Sequence, residues 1–122
     1  MRADMLYETA LALLGEDEYS CDDYTHLKFR IINQALAGAL FTYNTIRLSQ
    51  NKEPIEKFET VVKDSDEIPV CDNMAREVLA PAVGALLCAD HDREKANVLT
   101  YMAQTANKKY SKANFLQIEN LY

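Results

Sequence analysis

Residues 64–109 read DSDEIPVCDNMAREVLAPAVGALLCADHDREKANVLTYMAQTANKK, and their pattern decides the fold class. An acidic turn carrying Ile68-Pro69-Val70 opens into an apolar helical run marked by Val78, Leu79, Ala82, Val83, Leu86 and Leu87. Asp72 or Asn73 is placed to cap that helix, with Glu77 in its first turns. Pro81 lies inside the run. It is expected either to kink the helix or to move its start to about residue 80, because proline lacks an N–H and crowds the preceding turn. The corner Asp90-His91-Asp92 then reverses the chain, and Asp92 caps a second helix. Ala96, Leu99, Ala103 and Ala106 mark the inward face of that helix, with Met102 and Tyr110 flanking them. A helical hairpin hung on a short extended segment suits docking better than it suits enclosing a reaction.

Working outward, a first short helix is expected from Asp4 as N-cap to Gly15, with Leu6, Ala10, Leu13 and Leu14 at helical spacing. A long second helix is expected to begin near Asp22 or Asp23 and to end around Ser49-Gln50-Asn51, before Pro54. Its inward stripe is Phe29, Ile32, Leu36, Leu40 or Ala39, Tyr43 and Ile46. The small residues of Ala35-Leu36-Ala37-Gly38-Ala39 let another helix come close. Between them and the hairpin, Ile55, Phe58, Val61 and Val62 sit among charged residues in a β-leaning, imperfect alternation. Pro69 confines any strand there to an edge.

The expected fold is therefore all-α: a four-helix antiparallel, bundle-like domain with a short extended or β-ribbon insertion at about residues 54–70. The scarcity of turn residues, three glycines and three prolines in 122 residues, argues against a sandwich or barrel. Residues 1–110 form the domain, and residues 111–122 form a C-terminal tail. The length suffices for one core without disulfides or metals.

Charge narrows the function classes. The formal net charge is −6, and the acids concentrate in residues 1–23 and 51–72, whereas Lys108, Lys109 and Lys112 face only Glu119 at the C-terminal end. No basic patch is large enough to neutralise many phosphates, so sequence-specific nucleic-acid binding is not expected. No apolar run approaches the roughly 18 residues that span a membrane. Cys21, Cys71 and Cys88 are odd in number and widely spaced, which reads as free thiols in a reducing, cytoplasmic setting.

Three chemistries are weighed. Cys88 with His91, and Cys21 with Asp22, Asp23 and His26, have loose metal-ligand spacing, but neither group holds four ligands. Asp64-x-Asp66 opens like a calcium loop and then places Ile68 and Pro69 where flexible or polar residues are needed. A Cys–His nucleophile lacks a glycine-rich turn for an oxyanion hole. No catalytic residue, metal site or cofactor is assigned.

Exposed apolar groups remain. Ile55, Phe58, Ile68 and Val70 on the extended segment are candidate interface residues. Phe115, Leu116, Ile118, Leu121 and Tyr122 in the tail have anchor spacing for a groove on a neighbouring subunit or partner. The tail equally suits folding back to complete this chain's own core.

Four features resemble the head–tail connector (adaptor) proteins of tailed bacteriophages. They are the short helix ending Leu13-Leu14-Gly15, the run Ile31-Ile32-Asn33-Gln34-Ala35-Leu36, the turn Asp66-Glu67-Ile68-Pro69-Val70, and the hairpin from Met74 to Tyr110. The resemblance covers most of residues 4–110 as a pattern of elements. It implies a non-enzymatic virion assembly subunit that joins copies of itself in a ring, docks to the portal protein and exposes another face to tail-completion proteins. It also implies assembly in the host cytoplasm, then residence in the virion, with an acidic lumen past which DNA slides. The alternative class is a small cytosolic helical regulatory or protein-binding module acting as a dimer. The third reading is a metal- or cysteine-dependent enzyme.

Overall fold

Helix α1 spans Ala3–Leu14 and buries Ala3, Leu6, Ala10 and Leu14, one stripe at steps of three and four. Gly15 ends it with φ 82°, and its N–H reaches back to the carbonyls of Ala12 and Leu11, the left-handed closure glycine permits. In the computed structural model, residues 1–15 and 27–120 are described, the last nine of these (112–120) as backbone alone.

Asp4 does not cap α1. Arg2 holds the N-cap position and the helix starts at Ala3, two residues before the expected start, and the orphan N–H groups of Ala3 and Asp4 are taken by the main-chain oxygens of Asp66 (2.8 Å) and Asp64 (3.2 Å). The acidic turn thus terminates α1 with its backbone. Its carboxylates act elsewhere: Asp66 accepts the N–H groups of Val62 and Lys63, and Asp64 pairs with Lys28 at 2.7 Å.

Helix α2 is described over Lys28–Ser49. Its expected origin at Asp22 or Asp23 lies outside the described residues. Ile32, Ala35, Leu36, Ala39 and Thr42 are buried, and Phe29, Tyr43 and Ile46 pack on the core from its edges. The buried Thr42 hydroxyl bonds Ser111 at 3.0 Å.

Residues 54–70 hold no strand among the described residues. The extended form of the insertion is present and the ribbon is not. An isolated antiparallel bridge joins Glu67 to Arg2, so this segment pairs with the start of the chain rather than with itself.

Helix α3 (residues 72–88) is built in three joined pieces: Asp72–Met74, a π-helical turn over Ala75–Leu79, and Ala80–Cys88. Cys71, not Asp72 or Asn73, occupies its N-cap position. The Ala80 N–H bonds the Ala75 carbonyl five residues back, and Pro81 follows within the first turn of the last piece. A widened turn gives the proline ring room and lets the helix pass through without a break.

Helix α4 spans Arg93–Asn120. Asp92 caps it through the Lys95 N–H at 3.0 Å. Ala96, Leu99 and Ala103 are buried, Ala106 and Tyr110 pack on the core, and Met102 is exposed. The division expected at 110/111 falls inside this helix, whose backbone runs on to Asn120.

The described residues thus form an all-α fold of four helices, with α3 as the central element against which α1 and α4 pack. Lys95 ties the hairpin corner to α1 by donating to the Leu14 carbonyl at 2.9 Å. The Met1 ammonium sits between Asp72 (2.7 Å) and Glu67 (3.2 Å). The Asp72 hydrogen bond holds the amine above its ordinary pKa, and the same bond holds Asp72 below the usual carboxylate range. A raised amine stabilises the fold below its unfolded value of about 8 and loses that effect as pH rises through the folded value. The lowered carboxylate acts at the other end: its contribution is present above about pH 4 and is lost as pH falls. In a chain with a free Met1 amine, the thermal midpoint is expected to fall as pH rises past 8. Asp72→Asn should flatten that fall, and parallel curves for the two chains would contradict the pairing.

Candidate docking surfaces

The extended segment is strapped to α2 by two asparagines. The Asn33 side chain donates to the Val61 carbonyl and accepts from the Val61 N–H, both at 2.9 Å. Asn44 does the same with Ile55, again at 2.9 Å each way. A carboxamide presents one acceptor and two donors, so it pairs with a peptide group as a neighbouring strand would. The geometry closes for a simple reason. Residues 11 apart lie on one helix face about 16 Å apart, and six residues, about 20 Å at full extension, cover that span with the bend at Glu56-Lys57 taking up the excess.

That strap settles where the segment's expected interface residues lie. Phe58 packs tilted against Tyr43, ring centres 4.9 Å apart with 57° between the planes, and lies on the core's edge. Ile55 is half-buried beside Asn44. Ile68 and Val70 require correction: at 4% and 8% exposure they belong to the subunit's own core and present no docking surface. Pairing of Ile68 N–H with the Met1 carbonyl draws that turn inward. Phe115, Leu116 and Ile118 lie on α4, but their side chains fall outside the described residues, as do Leu121 and Tyr122 entirely.

On the segment itself Val62 is exposed, at 64%, and the other large exposed apolar groups sit on the helices. Leu13, Tyr101 and Met102, with Pro81 and Ala106, line a shallow cleft of about 480 Å³ where α1, α3 and α4 meet. Tyr101 is 71% exposed, and Leu13 and Met102 are also open. Lys109 and Glu77 bridge the rim at 3.5 Å. A second groove, about 280 Å³, lies where α2, α3 and α4 meet, and alanines and Gly38 make up half of its lining. Hydrophobic periodicity misread the cleft: it counts Leu13 in the α1 stripe and sets Met102 with the inward residues of α4, where both are exposed, and it passes over Tyr101.

The chemistry-bearing residues are dispersed. Cys88 is fully buried, its thiol donating weakly to the Ala85 carbonyl at 3.9 Å, and burial pushes its pKa up, away from a reactive thiolate. His91 is exposed at the corner. Among the described residues, no three His, Cys, Asp or Glu side chains gather to hold a metal ion. Cys21, Asp22, Asp23 and His26 lie outside the described residues. No helix among the described residues is long and apolar enough to cross a membrane. No family model matches this chain, and no curated protein or solved structure matches it at a significant level.

Proposed function

We propose that the protein is a structural assembly subunit of the head–tail connector kind, which forms a ring under the portal of a tailed bacteriophage and receives tail-completion proteins on its free side. The family identity comes from the resemblance in the order of elements. What carries the assembly role is the cleft at Leu13, Tyr101 and Met102. Large apolar side chains left open beside a rim ion pair are the composition of a protein–protein contact, apolar at its centre and polar around it. The net charge of −6 suits a lumen that DNA passes without adhering.

Co-sedimentation with portal rings from the same genome tests this reading. The wild-type subunit is expected to sediment with the rings. Tyr101→Asp combined with Met102→Asp should weaken that binding about tenfold or more, as for anchor residues at an interface centre. Both side chains are open to solvent, so the variant's circular dichroism should match the wild type. A folded wild-type subunit that stays in the supernatant would overturn the proposal.

The second reading, a small helical module acting as a dimer, is favoured by one observation, the exposure of Phe41 and Leu48 on α2.

A further inference from the structure

Residues Phe58-Glu59-Thr60-Val61-Val62 run without bend or turn and are rich in strand formers, yet only one of their two edges is paired. Val61 faces α2, where Asn33 takes both of its backbone groups. In extended backbone the neighbouring residues present their groups to the opposite edge. The Val62 N–H turns that way, to the Asp66 carboxylate at 2.9 Å. On that edge the N–H and carbonyl of Thr60 meet no hydrogen-bonding partner among the described residues.

A second open edge stands across from it. The bridge between Arg2 and Glu67 is flanked by two bonds of 2.8 Å, Ala3 N–H to the Asp66 carbonyl and Ile68 N–H to the Met1 carbonyl. That is the non-hydrogen-bonded kind of antiparallel pair, in which the backbone groups of Glu67 point away from Arg2. They too meet no partner among the described residues. The Asp66 carboxylate closes one end by accepting from Val62 and Lys63. A groove of about 460 Å³ lies between residues 59–63 and the arm at Glu67 and Pro69.

We infer that this groove takes an extended, basic peptide segment of a partner protein, which adds as a strand between Thr60 and Glu67. The open backbone groups demand an extended occupant, because a helix spends its own N–H and carbonyl groups internally. Charge selects which one. Glu59, Asp66 and Glu67 line the groove against Lys63 alone, and the Met1 ammonium beside Glu67 is shared with Asp72. A lysine or arginine on the incoming segment is therefore drawn in. A second copy offering the same acidic edge would set like charges together. Val62, open beside the edge, gives an apolar side chain of the added strand a surface to cover. None of this uses the cleft at Leu13 and Tyr101, so the inference stands apart from the connector reading.

An NMR titration of the full chain with the peptide acetyl-Lys-Val-Lys-Val-Lys-amide tests it. The Thr60 and Glu67 amides should shift together and gain protection from hydrogen exchange. The dissociation constant should be on the order of 0.1–1 mM, as for a few backbone bonds offset by the ordering of a short peptide. Methylating the two valine nitrogens keeps the charge, removes donors and should weaken binding about tenfold or more. Exchanging the lysines for glutamates should weaken it comparably. Thr60→Pro removes an N–H that the fold does not use, and should reduce binding with an unchanged melt. Glu59→Lys should weaken the lysine peptide and strengthen the glutamate one. Thr60 and Glu67 amides that stay unmoved at about 5 mM lysine peptide would overturn the inference. So would a methylated or a glutamate peptide that binds as well as the first.

Discussion

Replacing Asn33 and Asn44 together by alanine is expected to lower stability by roughly 2–5 kcal/mol, with the larger share from Asn33. Each side chain satisfies both backbone hydrogen-bonding groups of one residue on the strap. A buried backbone group left without a partner costs about 1–3 kcal/mol. Val61 is 3% exposed, so water cannot readily replace Asn33, whereas Ile55 is half-open and its groups can be partly resolvated. The two sites share no partner and should combine nearly additively. Denaturant unfolding reads the total, and hydrogen exchange at the Val61 and Ile55 amides reads each site. Asn33→Asp separates geometry from chemistry: a carboxylate can still accept from the Val61 N–H but cannot donate to its carbonyl. A double variant as stable as the wild type would mean that apolar packing at Phe58 and Val61 holds the segment without the asparagines.

Gly84→Val carries the second large effect, a loss of about 1–3 kcal/mol or more from overpacking. Gly84 is where α1, α3 and α4 cross. A Cβ there would stand 3.2 Å from Leu99 Cδ1, 3.6 Å from the Ala10 carbonyl oxygen and 3.9 Å from Leu14 Cδ2. Alanine is the instructive control. Its one clash is with the far end of a flexible side chain, and it gains about 1 kcal/mol of helix propensity over glycine. Gly84→Ala should therefore be close to neutral. Valine adds two branches against a main-chain oxygen and a leucine end, and the main chain cannot step aside. Equal melting temperatures for the alanine and valine variants would show that the crossing has slack.

These two sites mark the limit of what hydrophobic pattern reveals. The helices were legible because burial follows their period: Leu6, Ala10 and Leu14 in α1, Ile32, Leu36 and Ala39 in α2, and Ala96, Leu99 and Ala103 in α4. Gly15 and Asp92 declared helix ends through local chemistry that does not depend on the rest of the fold. The strap was not legible. Its partners are single asparagines on a helix, and nothing in a polar residue's identity says which peptide group it will meet. The alternation at 54–70 asked for a strand partner, and the fold supplied side-chain amides and the start of α1 instead.

Pro81 was legible as a problem but not as a solution, since two outcomes satisfy a proline and the π-helical turn is a third. The expected docking residues were chosen as apolar groups outside the helical stripes. That rule failed at Ile68 and Val70, which the paired turn folds into the core. It also passed over Tyr101 and Phe41, which sit on helices but face outward.

The most direct test of the proposed assembly role is electron microscopy of the subunit mixed with portal rings from the same genome. The account predicts a second closed ring stacked on one end of each portal, with the Leu13–Tyr101 face of each subunit in an interface. Portal rings that remain bare in the presence of excess folded subunit would contradict it.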